Sequence, residues 1–484
     1  MTIPPAQLEG TLLHYGDSGY EQARLDAVWN GRKPDRYPGV ILRARSDKDV
    51  AAAVRWAADR GMQVSVRSGG HSWVGNGVRD GGLLIDLSQL ADMEVDAGAR
   101  RVRVRPATRG PEIIRALAPY GLFFPTGHAP TVGIGGFILG GGYGWNSRVW
   151  GPACLSIRAI DVVLADGELV HADDNSHPDL LWAARGCGPG FFGVVTRFEL
   201  EAYPCHQRIM RTTHTYPVEL RDDVLAWTYG LLADTPTAVE MSVKVGHTPA
   251  LGIQAASITS TAFCTDETGY DLLLPLEAAP FRQAAIRAGV NTEATMDDLY
   301  EAADALNRPG MRWALDGIWC DAPAAEVLVA AAPLLDHIPD DSSFVLWMLW
   351  GHYPERENAC WSVQAPLYLS PNAGWSDPAQ DLAHERWVHE PMEAMRNLSR
   401  GLQFSDNNVA DRPDIGLSPQ NAARVGAIRD RYDPGGLFRS YMTPAESTTA
   451  LARSRAAATA GPPAAGTAQG TDGLVPDMRG REHG

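Results

Sequence analysis

The segment Arg67–Gly77, RSGGHSWVGNG, decides how this chain is read. It follows a strand-like run, QVSVR (63–67), and sets Gly69, Gly70, Gly75 and Gly77 around one histidine, His71. Glycine has no Cβ, so a run of glycines lets backbone N–H groups approach an anion closely. A histidine framed by Gly69, Gly70 and Ser72 is carried toward whatever the loop binds, as ligand, base or nucleophile. No second His, Cys or Asp stands at metal-ligand spacing from it, so no metal is expected.

A denser loop follows at Pro125–Arg148, PTGHAPTVGIGGFILGGGYGWNSR. Two glycine loops roughly fifty residues apart suit a ligand with a long phosphate-bearing body, and a dinucleotide fits. Taken singly, each loop is equally compatible with ordinary turns and bulges. GIGGF superficially matches a dinucleotide fingerprint, but no acidic residue ends a following strand in a βαβ unit, which excludes a Rossmann fold.

Working outward, three zones appear. From about Tyr37 to Tyr203, short β-branched runs alternate with glycine-rich turns and two helices. SDKDVAAAVRWAADRG predicts a helix with Ser46 as N-cap, Asp49 three residues on, and Gly61 past its end. GLLIDL reads as a buried strand, and RRVRVRP alternates with period two, as a half-exposed strand does. TRGPEIIRALAPYG predicts a second helix, with Pro111 in its first turn and Gly121 closing it. AIDVVLADGELVHA predicts a hairpin over Asp166–Gly167, and GVVTRFELEAY another strand. From Pro204 to Gly401, strand-like runs (AVEMSVKV, IQAASITSTAF, SFVLWMLWGHY, SVQAPLYL) are separated by helical ones (ELRDDVLAWTYGLLA, PAAEVLVAAAPLLDHI). That order predicts an antiparallel sheet covered on one side by helices, with tryptophans in its core and a few aromatics lining a pocket. A last helix and turn precede an Ala/Gly/Pro/Thr-rich end, which reads as a mobile tail.

The 484 residues exceed what one ordinary core serves. Hydrophobic content is 45%, charged content 21% and net charge -16, as in a globular protein without a broad basic face for nucleic acid or a membrane. The start, MTIPPAQLEGTLLHYGDSG, does not read as a signal peptide, and no apolar run is long enough to span a bilayer. A cytoplasmic location is the expectation. Cys154, Cys187, Cys205, Cys264, Cys320 and Cys360 form no CxxC pair and read as reduced thiols.

RSGGHSWVGNG, GGFILGGGYGWNSRVWGPAC (135–154), LLWAARGCGPGFFGVVTRF (180–198) and RYDPGGLF (431–438) together resemble the berberine-bridge-enzyme-like flavoprotein oxidases, within the vanillyl-alcohol-oxidase type of FAD proteins. The resemblance runs from about Tyr37 to Pro444. It implies an α+β fold, with a two-part FAD-binding domain of the PCMH type and a substrate domain. The expected organisation is an N-terminal segment (1–36), the first part of the FAD domain (37–203), the substrate domain (204–401), a return segment completing the FAD domain (402–447) and the tail (448–484).

The resemblance also implies a bicovalent FAD, with its 8α carbon on His71 and its C6 on Cys154. From the first loop it implies flavin contacts by Arg67, Ser68, Gly69, Gly70, Ser72 and Gly75. From the second it implies Gly127, Val132, Gly133, Ile134, Gly135 and Gly136, then Gly140, Gly141, Gly142, Tyr143, Gly144 and Trp145. Gly193, Val194 and Val195 complete the set. Ile134 is taken to face the reactive edge of the flavin, where a small β-branched residue accompanies oxidases in this family.

The catalytic base is where the family pattern breaks. A tyrosine is expected in the segment matching GLQFSDNNVADRPD (401–414), and none is present. By position Asp406 stands first as base, Tyr441 second, and Asp316 and His352 behind them. The resulting expectation is an FAD-linked oxidase. It would take hydride from a small-molecule alcohol, hemiacetal or amine of the secondary-metabolite kind and pass electrons to O2 to give H2O2. An oligosaccharide oxidase forming a lactone and a non-catalytic flavin carrier are the alternatives. A homodimer is left open.

Overall fold

The computed structural model describes residues 8–265, 267–351, 357–412 and 416–460. His352 and residues 461–484 lie outside them. Three larger sheets organise the chain, and their edges and faces converge on one cavity.

The first sheet has four strands in the order Thr11–His14, Val40–Arg43, Leu83–Asp86, Val64–Arg67. Its last three strands are parallel, which explains why VILR and LLID read as near-continuous apolar runs. The helix Asp47–Ala58 covers it, and Ser46 caps that helix by accepting from the Asp49 N–H. The second sheet is antiparallel, in the order Met93–Asp96, Arg101–Val104, Val194–Glu201, Ile157–Val163, Leu169–Ala172. In RVRV the two valines are fully buried while the arginines turn outward, so the period-two pattern is realised residue by residue. The predicted Asp166–Gly167 hairpin forms between the last two strands, with Gly167 at φ +77.

The third sheet has nine antiparallel strands. Its path runs Arg287–Ala294, Arg208–Pro217, Ile253–Cys264, Val239–Thr248, Phe344–Leu349, Leu367–Trp375, Ile318–Cys320, Ser399–Gly401, and Arg312–Leu315 also pairs with Leu367–Trp375. Met241, Val243 and Val245 point to one face and pack with Val224 of helix Arg221–Leu231 and with Val327 and Leu334 of helix Ala324–Asp336. The intervening Glu240, Ser242 and Lys244 point to the other face, which is open to the cavity. The fold is therefore mixed α and β, with its antiparallel sheet backed by helices.

After this sheet the chain returns to the first one. Phe438 bridges Val64 in parallel, with the Val64 N–H donating to the Leu437 carbonyl at 2.7 Å and the Arg439 N–H to the Val64 carbonyl at 2.7 Å. That contact places Ser440 and Met442 on the cavity wall.

Two expectations change. Part of the second glycine loop is helical, at Ile134–Leu139, because its apolar residues can bury against the core. The stretch after residue 448 is not all tail: Ala450–Ala460 is a helix. Its alanine-rich sequence favours helix, Thr449 Oγ1 accepts from the Ala452 N–H, Leu451 is buried, and the Leu451 N–H donates to Glu385. Strands Arg208–Pro217 and Arg287–Ala294 and helices Met296–Leu306 and Asp381–Ala394 carry weaker sequence signals than their neighbours and were not singled out above. No helix of the described residues is long and apolar enough to cross a membrane.

Candidate active site

The two glycine loops meet backbone to backbone. A Cβ on Gly69 would lie 2.5 Å from the Gly133 nitrogen, and one on Gly133 would lie 2.9 Å from the Gly69 Cα. Neither position accepts a side chain, and this contact holds the loops as one wall. The wall borders a cavity of about 640 Å³, within the range of small-molecule and cofactor sites. Arg67 anchors the first loop by donating to Asp86 at 2.7 Å and to the Asp26 carbonyl at 2.9 Å.

His71 faces this cavity and stacks on Trp29, with ring centroids 4.9 Å apart and planes at 24°. Burial, then the nearby charges of Arg109 and Arg67, lower its pKa to about 4, against a hydrogen bond to the Thr131 backbone. The imidazole is therefore neutral at pH 7, with a lone pair available to an electrophile.

Arg67, Ser68, Gly69, Gly70, Ser72 and Gly75 line the cavity with His71. From the second loop so do Gly127, Val132, Gly133, Gly135, Gly136 and Gly140, and beside them Tyr143 and Trp145. Gly193 and Val195 line its floor. A Cβ on Gly136 would meet no protein atom, so this glycine opens onto the space the cavity offers.

Other expected contacts are placed elsewhere. Ile134 is 2% exposed and packs in the core, because the turn into helix Ile134–Leu139 rotates it away; of the two residues flanking Gly133, Val132 is the one that lines the wall. Gly141, Gly142 and Gly144 do not line the cavity but allow close packing, with a Cβ on Gly144 falling 2.0 Å from the Thr126 carbonyl oxygen. Val194 points into the core under the first sheet.

Cys154 is also absent from the wall. It is fully buried, its N–H donates to the Gly141 carbonyl at 2.9 Å, and burial pushes its thiol well up. None of the described cysteines lines the cavity. Tyr441 stacks on Phe404 at 4.8 Å and donates to the Cys187 carbonyl at 2.7 Å, so its hydroxyl is spent on a structural bond. It does not line the cavity either.

Asp406 does line it. Burial lifts its carboxyl to about 6, against hydrogen bonds from Trp73 and Tyr368. The Tyr368 hydroxyl donates toward Asp406 Oδ2 and Asn407 Oδ1, each at 3.4 Å. Trp73 stands two residues after His71, so its bond to Asp406 links the histidine loop to the acid. Asn407 holds the turn: its Nδ2 donates to Asp316 and to the Gly317 carbonyl at 2.8 Å, and its Oδ1 accepts the Gln403 N–H at 2.9 Å. Asp316 is buried and paired with Arg412 at 2.7 Å and His389 at 3.0 Å. Burial pushes its carboxyl up, but Arg412 and His389 outweigh that and hold it well below the usual carboxylate range.

A second polar cluster was not foreseen. Glu240 lies opposite Thr261, Ser242 opposite Thr259 and Lys244 opposite Ser257, and all six line the cavity. Burial lifts the Glu240 carboxyl to about 8, against the backbone N–H groups of Asn146 and Ser147 and the charge of Arg148. His128 Nε2 sits 4.0 Å from Glu240 Oε2, and burial lowers its pKa to about 4. Rings connect the two clusters: His128 packs on Trp145 at 4.3 Å and on Trp350 at 6.1 Å, Trp350 on Tyr143 at 5.4 Å, Tyr143 on Trp319 at 4.7 Å, and Trp319 on Tyr368 at 4.9 Å. Glu240 is a polar residue alternating within AVEMSVKV, and that alternation was the one available signal for the polar face.

Comparison with known proteins supplies the chemical context. Residues 38–173 match the FAD binding domain family. The FAD-linked oxidoreductase nodO of Hypoxylon pulicicidum is 30% identical over 427 residues, spanning 87% of this chain and 94% of its own length. (R)-6-hydroxynicotine oxidase of Paenarthrobacter nicotinovorans is 28% identical over 455 residues, spanning 90% of this chain and 96% of its own. The solved structure of Physcomitrella patens BBE-like 1 superposes with a TM-score of 0.78 at 20% identity, covering 92% of this chain and 99% of that one.

Proposed function

Because the chain belongs to the FAD-linked oxidoreductases of the berberine-bridge-enzyme-like family, we propose that it oxidises a small organic alcohol, hemiacetal or amine with FAD tethered through His71. The observation carrying this is that His71 and Asp406 border one cavity and are joined through Trp73. The residues present fit the cofactor: bare backbone at Gly136 opens onto the cavity and suits a phosphate-bearing body, and the neutral His71 ring supplies a nucleophile. When bound, FAD supplies the hydride acceptor, and the redox chemistry is its own.

The chain's residues do the rest. Asp406 is ionised above about pH 6 and serves as the base that takes the substrate's proton. Tyr368 and Trp73 orient it by donating to it, and the buried Asp316–Arg412 pair fixes the loop it stands on. The tether is single. A bond at Cys154 requires a thiol on the cavity wall, and Cys154 is fully buried and does not line it. Oxygen is the proposed electron acceptor, giving H2O2. In support, the residue flanking Gly133 on the wall is Val132, smaller than the Ile134 expected there. The nicotine oxidase named above, an amine-type relative by its name, supports a small-molecule substrate.

The test is acid precipitation followed by peptide mapping. Flavin mass on the peptide carrying His71, and on no cysteine peptide, is the expected result. Flavin released into the supernatant would overturn the tether.

A further inference from the structure

We propose that Glu240, with Trp145 and Trp350 packed on the neighbouring His128, is a docking subsite for a cationic nitrogen, so that the substrate carries a positively charged amine as well as its oxidisable carbon. This deepens the function proposed above and rests on it.

Among the described residues no cation lies within ion-pair distance of Glu240, and burial holds it mostly protonated at pH 7, so a cation brought beside it would draw off its proton. Glu240 Oε1 is buried and has no hydrogen-bond partner, yet the residue lines the cavity. A carboxylate withdrawn from water is costly unless it is paired. Among the described residues its ion partner within 4.0 Å is His128, whose ring burial keeps neutral, so it brings no cation. The guanidinium of Arg148 donates to the carbonyls of Trp350 and Pro236 at 3.1 Å each, and to those of Val239 and Thr235. Arg211 faces the same side, but Thr261 stands between them in register, which sets the two backbones about 10 Å apart. Lys244 is four residues along the strand, and its Nζ donates to the His247 carbonyl at 2.8 Å.

The surroundings select the kind of partner. Trp145 and Trp350 both pack against His128 at the Glu240 end, and Tyr143 packs on Trp350. Aromatic faces beside a carboxylate attract an alkylammonium group, through the ring quadrupole and through the charge. A neutral hydroxyl would satisfy Oε1 but would carry no charge for the ring faces or the carboxylate to attract. The aromatic wall from Trp350 through Tyr143 and Trp319 to Tyr368 then leads to Asp406. Two carboxyls thus stand at the two ends of one wall, one to hold a charge and one to accept a proton.

Isothermal titration calorimetry on the full-length protein tests this without relying on the flavin, and flavin content is measured on the same sample. The probes are benzyltrimethylammonium, whose charge does not titrate, and benzyl alcohol as its neutral counterpart. Above pH 8, where Glu240 is ionised, the cation should bind the wild type about 10- to 100-fold more tightly than the alcohol. Its affinity should rise toward pH 8 and level off above it, as Glu240 gives up its proton. Glu240→Gln should remove that preference and the limb near pH 8, leaving only the weaker limb near pH 6 from Asp406. Glu240→Asp should keep part of the preference. Unchanged benzyl alcohol binding shows that the cavity of each variant is intact. Equal binding of both probes to the wild type, or a Glu240→Gln preference equal to the wild type's, overturns the subsite. Loss of flavin from His71 with the cation preference retained would instead overturn the tether and leave the subsite standing.

Discussion

Replacing Asp406 with asparagine should abolish turnover while making the protein more stable. The carboxyl is held at about 6 by burial, against its ordinary value of 3.8. At pH 7 that leaves roughly ten ionised carboxylates for each protonated one, so the base is ready but costly to keep. The sign follows from the proton count. The folded state binds the proton more tightly than the unfolded state, so stability falls as pH rises from about 4 to about 6 and is flat above that. Above pH 6 the ionised group costs on the order of 2–3 kcal/mol, and Asp406→Asn removes most of it. For a chain of this size that is a rise in Tm of about 2–3 °C, measured at pH 8, shrinking toward zero near pH 4. Over the same range kcat/KM of the wild type should climb about tenfold per pH unit below 6 and then level off, and the variant should lose about 10²- to 10⁴-fold with no such limb. Stopped-flow reduction of the flavin by an identified substrate reads the rate, and calorimetric melting reads the stability. A variant that keeps the wild-type rate and its pH limb refutes Asp406 as base. A variant that loses activity together with several degrees of Tm refutes the stability argument, because the loss is then structural.

The other expectations are simpler. Cys154→Ser should retain covalent flavin after acid precipitation, because that thiol is fully buried and does not line the cavity; loss of half the attachment would contradict it. Gly69→Ala should destabilise by about 3 kcal/mol or more and lower flavin content, since its Cβ falls 2.5 Å from the Gly133 nitrogen; denaturant melts and the visible spectrum report both. Arg412→Met leaves Asp316 buried without its guanidinium and should cost about 3–5 kcal/mol, read from the urea midpoint.

The parts of this protein that were legible in its sequence are those written in backbone. Gly69 and Gly133 announce two loops because no side chain fits where they touch, and Ser46 with Asp49 announces a helix start because capping is local. The alternation of RVRV is likewise local. Reading failed where side-chain direction depends on a turn that the chain has yet to make. Ile134 and Val132 differ by two positions, and only the entry into helix Ile134–Leu139 decides which one meets the cavity. Cys154 follows a motif segment closely, yet it is fully buried and does not line the cavity. Glu240 was invisible because its meaning comes from His128, Trp145 and Trp350, which arrive from other segments.

The two aspartates that were ranked as bases show what separates a structural acid from a chemical one. Asp316 and Asp406 are both withdrawn from water and are tied to one loop through Asn407 and Tyr368. Asp316 faces a guanidinium and an imidazole, so its charge is compensated and its proton is gone throughout the physiological range. Asp406 receives only the neutral donors of Trp73 and Tyr368, which orient the carboxylate without neutralising it. Burial therefore wins at Asp406 and loses at Asp316, and the group near neutrality is the one on the cavity wall. Exchanging the partners would exchange the roles: a cation installed beside Asp406, as in Trp73→Arg, should drag its carboxyl back down and shift the acid limb of kcat/KM to lower pH. A limb that stays near pH 6 in that variant would assign it to another group.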